Sequence, residues 1–219
     1  MGSVEKELKE RVASLQKQNE ELRVALNDRL SSPKKISLEK SVSSQAISRF
    51  ATLIFFLGCL SLTAIILESW EATLAARVEL TFFVPLMIGH GGNTGGSVVG
   101  STVAKLASGQ SLSYSRTLLR EMSCALLVGA ALASATFFFL PFIKISAHTS
   151  LIVTCAIASI TMLATFIGTS LPFLFSFFRL DAASLGPPAV TTIVDAIGLI
   201  TYLVIADIIL EASPSILAK

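Results

Sequence analysis

Charged residues are absent from long stretches of this chain. Arg49 and Glu68 bracket 18 uncharged residues, Glu79 and Lys105 bracket 25, Glu121 and Lys144 bracket 22, and Lys144 and Arg179 bracket 34. A fifth run, from about Pro188 to Leu210, is apolar apart from Asp195 and Asp207. A helix of about 20 mostly apolar residues crosses the hydrocarbon core of a bilayer. The spacing therefore predicts an all-α, polytopic membrane protein with five transmembrane helices. The fourth is expected over about 149–172, with Pro172 near its end. Composition agrees, since 15% of the residues are charged and mean hydropathy is +0.73, against about 25% charged in soluble domains. A soluble enzyme of ordinary composition and a disordered chain are both excluded. The net charge of +2 gives no reason to expect a nucleic-acid partner.

The charge is concentrated in a polar head. Residues 1–49 hold ten Lys/Arg and seven Asp/Glu, and the other 170 residues hold seven and eight. Within residues 4–30, Leu8, Leu15 and Leu22 recur every seven positions, which places Val12, Asn19 and Leu26 at a of a heptad. An Asn at one a position fixes register at a cost in stability, so a short coiled coil is expected. A solvated amphipathic helix without a partner has the same pattern. Residues 31–44, with Pro33 and abundant Ser, read as a linker. The domains are accordingly a cytoplasmic helical head and linker (1–44), a five-helix transmembrane domain (45–212) and a tail (213–219). Basic residues lie in the head and at Lys105, Arg116, Arg120 and Arg179, while Arg77, Lys144 and Lys219 fall on the other side. This bias predicts a cytoplasmic N-terminus and a C-terminus across the membrane. No signal or transit peptide is recognisable in MGSVEKELKE, so the membrane is left unassigned. Glu68, Glu71 and Glu79 then lie at the outer mouth, either concentrating cations there or simply as solvated loop charges. Cys59, Cys124 and Cys155 are too dispersed for a metal motif and read as packing residues.

Two segments carry chemistry. In residues 85–109, Gly89, Gly91, Gly92, Gly95, Gly96 and Gly100 crowd one span. Gly92, Gly96 and Gly100 stand at i, i+4 and i+8, a spacing that lets helix backbones approach in lipid. Asn93 and Thr94 lie among them, and an amide at membrane depth needs a partner or water. No Lys-Ser/Thr pair follows, so a phosphate-binding loop is excluded. His90 reads as a hydrogen-bonded packing residue. In residues 187–210, Pro187 and Pro188 suit a first helical turn. Asp195 follows near mid-span, with Thr191, Gly198 and Tyr202 on its face and Thr192 adjacent. An intramembrane carboxylate costs roughly 2.5–3.5 kcal/mol or more and marks a functional site by default. No mid-span Lys or Arg is present to pair with it. Asp207 and Glu211 lie nearer the outer end. One carboxylate with hydroxyl, amide and carbonyl oxygens is hard-cation chemistry. A single Asp195 does not make a selective site, but two copies on a dimer axis would.

At these residues the chain resembles the transmembrane domain of the MgtE family of magnesium transporters and channels, and its eukaryotic solute-carrier relatives. The resemblance runs from about Ser48 to Glu211. It is carried by Trp70 and Glu71, by FFVPLMIGHGGNTG at 82–95, by LPFLF at 171–175 and by PPAVTTIVDAIGLITY at 187–202. It implies a homodimer whose Mg²⁺ pathway is lined by the second and fifth spans of both chains. Asp195 would bind hydrated Mg²⁺, the run Gly92, Asn93, Thr94 and Gly95 would contribute to the pore, and Glu71 would match an outer acidic position. The family's Asn-Gln-Ser is replaced by Gly96, Ser97 and Val98, and an expected Arg by Ala104 beside Lys105. The 49-residue head is too short for the family's CBS-containing Mg²⁺ sensor, so different gating is expected. The expected function is divalent-cation transport by a homodimer in lipid, with Mg²⁺ as both ligand and cargo, and no enzymatic constellation appears. A Na⁺- or H⁺-coupled Mg²⁺ exchanger and a non-transporting scaffold with a self-associating head are the alternatives.

Overall fold

The computed structural model describes residues 11–24, 42–108 and 112–212. Helix α1 covers residues 11–24, and α2 (Val42–Leu60) begins inside the segment expected to be linker. There follow α3 (Leu62–Ser69), α4 (Glu71–Ala76), α5 (Glu79–Ala107), α6 (Tyr114–Phe139), a 3₁₀ turn (Leu140–Ile143), α7 (Ala147–Phe177) and α8 (Ala182–Glu211). No strand occurs among the described residues. Contacts divide the chain into residues 1–50 and 51–219.

In the first unit, the heptad residues Val12, Leu15 and Leu22 are exposed along α1. Leu8, Leu26, the rest of the linker and the 213–219 tail lie outside the described residues. In the second unit, α7 is the hub. It packs on α5, α6 and α8, and α8 also packs on α5 and α3. Leu80, Met87, Ile152, Ile160, Leu199, Tyr202 and Leu203 fill one end of this core, and Val99, Ala164, Val190 and Val194 fill the other. Lipid tails are as apolar as these side chains, so close packing and interhelical hydrogen bonds must hold the helices together. One such bond runs from the buried Tyr202 hydroxyl to the Leu80 carbonyl (2.9 Å).

Among the described residues, four helical stretches are long and apolar enough to cross a membrane: Val42–Ser69, Tyr114–Ile143, Ala147–Phe177 and Ala182–Glu211. The second expected span, α5, has the length, at 29 residues, but Gly, His, Asn, Thr and Ser dilute its apolar character. Two expectations need correction. Helix α7 runs through Pro172 to Phe177, because proline removes a single donor and a surrounded span re-satisfies the freed carbonyl. Pro187 and Pro188 do not begin α8 either. The Asp181 carboxylate caps it, accepting from Ala183 N (3.0 Å) and Ser184 N (3.3 Å), so the prolines sit in the second turn. The Thr191 and Thr192 hydroxyls then donate to the Pro187 and Pro188 carbonyls, each at 3.0 Å.

Candidate functional site

Asp195 lies in the seam between α8 and α5. It is 4% exposed, and its Oδ1 meets no hydrogen-bond donor. Gly92 faces it across the seam: a Cβ added there would stand 3.6 Å from Asp195 Oδ1 and 3.4 Å from Thr191 Cγ2. Gly92 presents no side chain to that oxygen, which is buried without a partner. Helices α7 and α8 contain no Lys or Arg, and Lys105 of α5 is already bonded to Glu121 of α6 (2.6 Å). An isolated buried carboxylate carries a penalty of several kcal/mol even after relaxation. The arrangement therefore suits a cation, with Asp195 as the charged ligand. Thr191 can add a neutral oxygen, because its one proton is directed to Pro187 and its lone pairs are left over. Among the described residues no group of three or more His, Cys, Asp or Glu could hold a metal ion.

The other predicted residues divide into three places. Gly92, Thr191 and Asp195 come together. Gly95 is packed into the core, where an added Cβ would stand 2.9 Å from Val190 Cγ2. Gly198 likewise faces Ile160 of α7, at 3.7 Å for an added Cβ, and so lines packing instead of the Asp195 oxygen. Asn93 and Thr94 point away from Asp195 and line a crevice toward α6. Thr192 is half-buried and bonded to Pro188, and Glu71 is exposed in the first turn of α4.

Within one protomer, close approach uses a different glycine face. A Cβ on Gly96 or Gly100 would meet nothing within 4 Å. One on Gly91 would stand 2.7 Å from Val194 Cγ1, and one on Gly168 would stand 2.7 Å from the Gly95 carbonyl oxygen. Spacing of four fits 91 and 95 as well as 92, 96 and 100, and the bulk of Val194, Ile160 and Ala164 selects the former. Gly89, Asn93 and Gly100 are left exposed and Gly96 half-exposed, with Thr191 exposed on α8.

At the end of the unit holding Glu79 and Asp207, two carboxylates are tied down by neutral donors. Trp70 Nε1–H donates to Asp207 Oδ2 (2.6 Å) and Thr73 Oγ1–H to Asp207 Oδ1 (2.7 Å). Thr149 Oγ1–H donates to Glu79 Oε2 (2.8 Å), and Ser146 Oγ–H reaches the same oxygen (2.9 Å). The hydrogen bond from Thr149, above all, holds the Glu79 carboxyl below its ordinary pKa. Sequence reasoning found neither pair, because the partners are 67 to 137 residues apart.

A bundle with several helices long and apolar enough to cross a membrane defines a multi-pass membrane protein. The family profile described as MgtE, divalent cation transporter, matches residues 84–205, and the chain belongs to that family. It is 31% identical over 170 residues to the magnesium transporter MgtE of Thermus thermophilus, covering 76% of this chain and 37% of that protein. It is 25% identical over 156 residues to the magnesium transporter MgtE of Bacillus subtilis, covering 70% of this chain and 34% of that protein. The match thus spans about a third of the length of these relatives.

Proposed function

We propose that the chain conducts Mg²⁺ across a membrane as a homodimer, with Asp195 of both copies forming a hydrated-ion site on the dimer axis. The observation that carries this reading is the buried Asp195 Oδ1, which meets no hydrogen-bond donor and faces Gly92, with Thr191 on the same seam. Mg²⁺ gives up its water reluctantly and is usually held through one or two carboxylates, and two symmetry-related Asp195 side chains meet that requirement. The exposed Gly89, Gly100 and Thr191, with the half-exposed Gly96, supply the face. Polar and small groups at membrane depth are unsuited to lipid but suit a partner helix or a watery path. In this reading α5 also spans, as the second of five helices, buried between copies, which is why it tolerates low hydropathy. The N-terminus is cytoplasmic, the C-terminus lies across the membrane, and α1 strengthens the dimer through Val12, Leu15 and Leu22. Glu71 lies at the outer mouth.

The test is growth of a magnesium-auxotrophic bacterium on limiting Mg²⁺. Wild-type chain restores growth and Asp195→Asn, expressed at the same level, does not. A scaffold would restore it in neither case. Reversal potentials measured with and without Na⁺ or H⁺ gradients separate a channel from an exchanger.

A further inference from the structure

Helices α5 and α6 both pack on α7 but scarcely touch each other. A crevice of about 400 Å³ runs between them, along α6 from Glu121 to Leu132 and along α5 from Ser101 to His90. Eleven residue steps at about 1.5 Å each make it roughly 16 Å long, about half of the hydrocarbon core of a bilayer. Its surface is mostly apolar. Several of its polar groups are already occupied within the protein. Ser101 Oγ–H donates to the Val98 carbonyl (3.0 Å) and Thr161 Oγ1–H to the Ile157 carbonyl (2.7 Å), and His90 Nε2 lies 2.8 Å from Thr161 Oγ1. Asn93 and Ser97 are exposed at the α5 edge. A helix about 10 Å across needs on the order of 1,200 Å³ to fill such a length. The crevice is too narrow for a partner helix and suits one extended chain.

One end of the crevice is basic. There Lys105 of α5 reaches across to Glu121 of α6 (2.6 Å). Arg116 and Arg120 precede Glu121 on α6, and both are exposed, with no ion-pair partner among the described residues. They begin an i, i+4 ridge of α6 that continues through Cys124, Val128 and Leu132, and these last three line the crevice. Glu121 is the one acid of α6 and Lys105 neutralises it, so two positive charges are left over. The sequence sets the depth of this end, because the charge-free run of α6 starts after Glu121. Tyr114, at the start of α6, is hydrogen-bonded to the Ser170 hydroxyl (3.0 Å) and stacks edge-on against Phe173. Tyrosines at helix ends sit at headgroup level. The ridge therefore passes from headgroup depth, at the arginines, into hydrocarbon.

We propose that the α5–α6 crevice binds one acyl chain of an anionic phospholipid, whose phosphate rests on Arg116 and Arg120. Guanidinium forks match phosphate oxygens with paired N–H bonds, and long basic side chains near a helix end extend toward the interface. The length of the slot accepts the part of a chain that lies in one leaflet. A zwitterionic headgroup carries its own cation and gains little from the arginines. Two basic residues near an anionic headgroup favour it by roughly 30-fold over a zwitterionic one. The bound chain supplies the contact between α5 and α6 that their own side chains do not make. The site is separate from Asp195, since at 100° per residue His90 and Gly92 lie on nearly opposite sides of α5.

The test titrates the full chain, in detergent without Mg²⁺, with phosphatidylglycerol or phosphatidylcholine of the same chains, read by melting temperature and native mass spectrometry. Wild type should bind phosphatidylglycerol roughly 30-fold more tightly than phosphatidylcholine and be stabilised by it. The double variant Arg116→Gln, Arg120→Gln should bind both lipids with the phosphatidylcholine affinity. Val128→Trp and Leu132→Trp, at positions 46% and 39% exposed, fill the crevice and should abolish stabilisation by either lipid. The arginine variant changes exposed side chains only, so it decides the matter even where a tryptophan variant does not fold. Equal affinity of wild type for the two lipids overturns the proposal, as does a preference that survives in the arginine variant. Undiminished stabilisation in the folded tryptophan variants overturns it too. Stabilisation by glycerol 3-phosphate equal to that by phosphatidylglycerol would replace the lipid site with one for a free anion.

Discussion

Gly168→Ala is expected to destabilise the transmembrane unit, whereas Gly96→Ala is expected to leave it unchanged or more stable. A methyl at residue 168 would lie 2.7 Å from the Gly95 carbonyl oxygen and 3.2 Å from Val98 Cβ. Ordinary contact begins at about 3.4 Å, so α5 and α7 must separate by roughly 0.7 Å, and a backbone atom cannot rotate away. Overpacking of this kind costs about 1–3 kcal/mol, with the backbone partner placing it at the upper end. Replacing a helical Gly by Ala returns about 1 kcal/mol. The net expectation for Gly168→Ala is therefore a loss of about 1–2 kcal/mol. At Gly96 no atom lies within 4 Å of the added methyl in the protomer, so only the favourable helix term is left. Melting temperatures of purified protein, followed by size-exclusion chromatography after heating, provide the assay. Equal or higher stability for Gly168→Ala would refute the α5–α7 close approach. A large loss for Gly96→Ala would instead show that a partner helix already covers that face tightly.

Asp207→Asn leaves one acceptor oxygen for two donors, Trp70 Nε1–H and Thr73 Oγ1–H, and should lower thermal stability by about 1–3 kcal/mol while leaving Mg²⁺ affinity within about twofold of wild type, read by the Mg²⁺-dependent melting shift. Glu79 has a folded pKa below its ordinary 4.5. Its stabilising contribution is complete above that value and is lost as pH falls through the lower folded one. Glu79→Gln should accordingly be less stable than wild type at neutral pH, with the gap closing in acid, as measured by melting temperature against pH. Deleting residues 1–44 removes nothing that can line a path through the membrane, so transport should persist while dimer yield on cross-linking falls.

Charge-free runs made α7, α8 and the apolar parts of α2, α3 and α6 legible, because lipid imposes a length and a composition that local sequence records directly. The isolation of Asp195 was legible for the same reason: neighbouring runs contain no Lys or Arg. The packing face of α5 was not. Glycine spacing alone is degenerate between Gly91/Gly95 and Gly92/Gly96/Gly100, and the choice rests on Val194 and Ile160, which reach it from other helices. The helix start before Pro187 depended on Asp181, an N-cap six residues upstream. The pairing of Asp207 with Trp70 and Thr73 joins segments far apart in the chain, and no short-range pattern encodes it. The four residues of Gly92 to Gly95 turn once around α5, so a contiguous motif is split among the Asp195 seam, the core and the α6 crevice.

The central claim is tested most directly by the Mg²⁺-dependent melting shift of Asp195→Asn beside wild type. The substitution keeps the size and one acceptor oxygen and removes the charge. Wild type at about 100-fold excess over its dissociation constant should gain about 2.7 kcal/mol, and the Asn variant should gain nothing. Without Mg²⁺ the variant should be as stable as wild type or more so, because an unpaired buried charge has been removed. If Asp195 were instead the partner of a cationic group in the fold, its loss would destabilise the protein by about 3–5 kcal/mol. A full Mg²⁺ shift in the Asn variant would contradict the account, as would a loss of several kcal/mol without the ion.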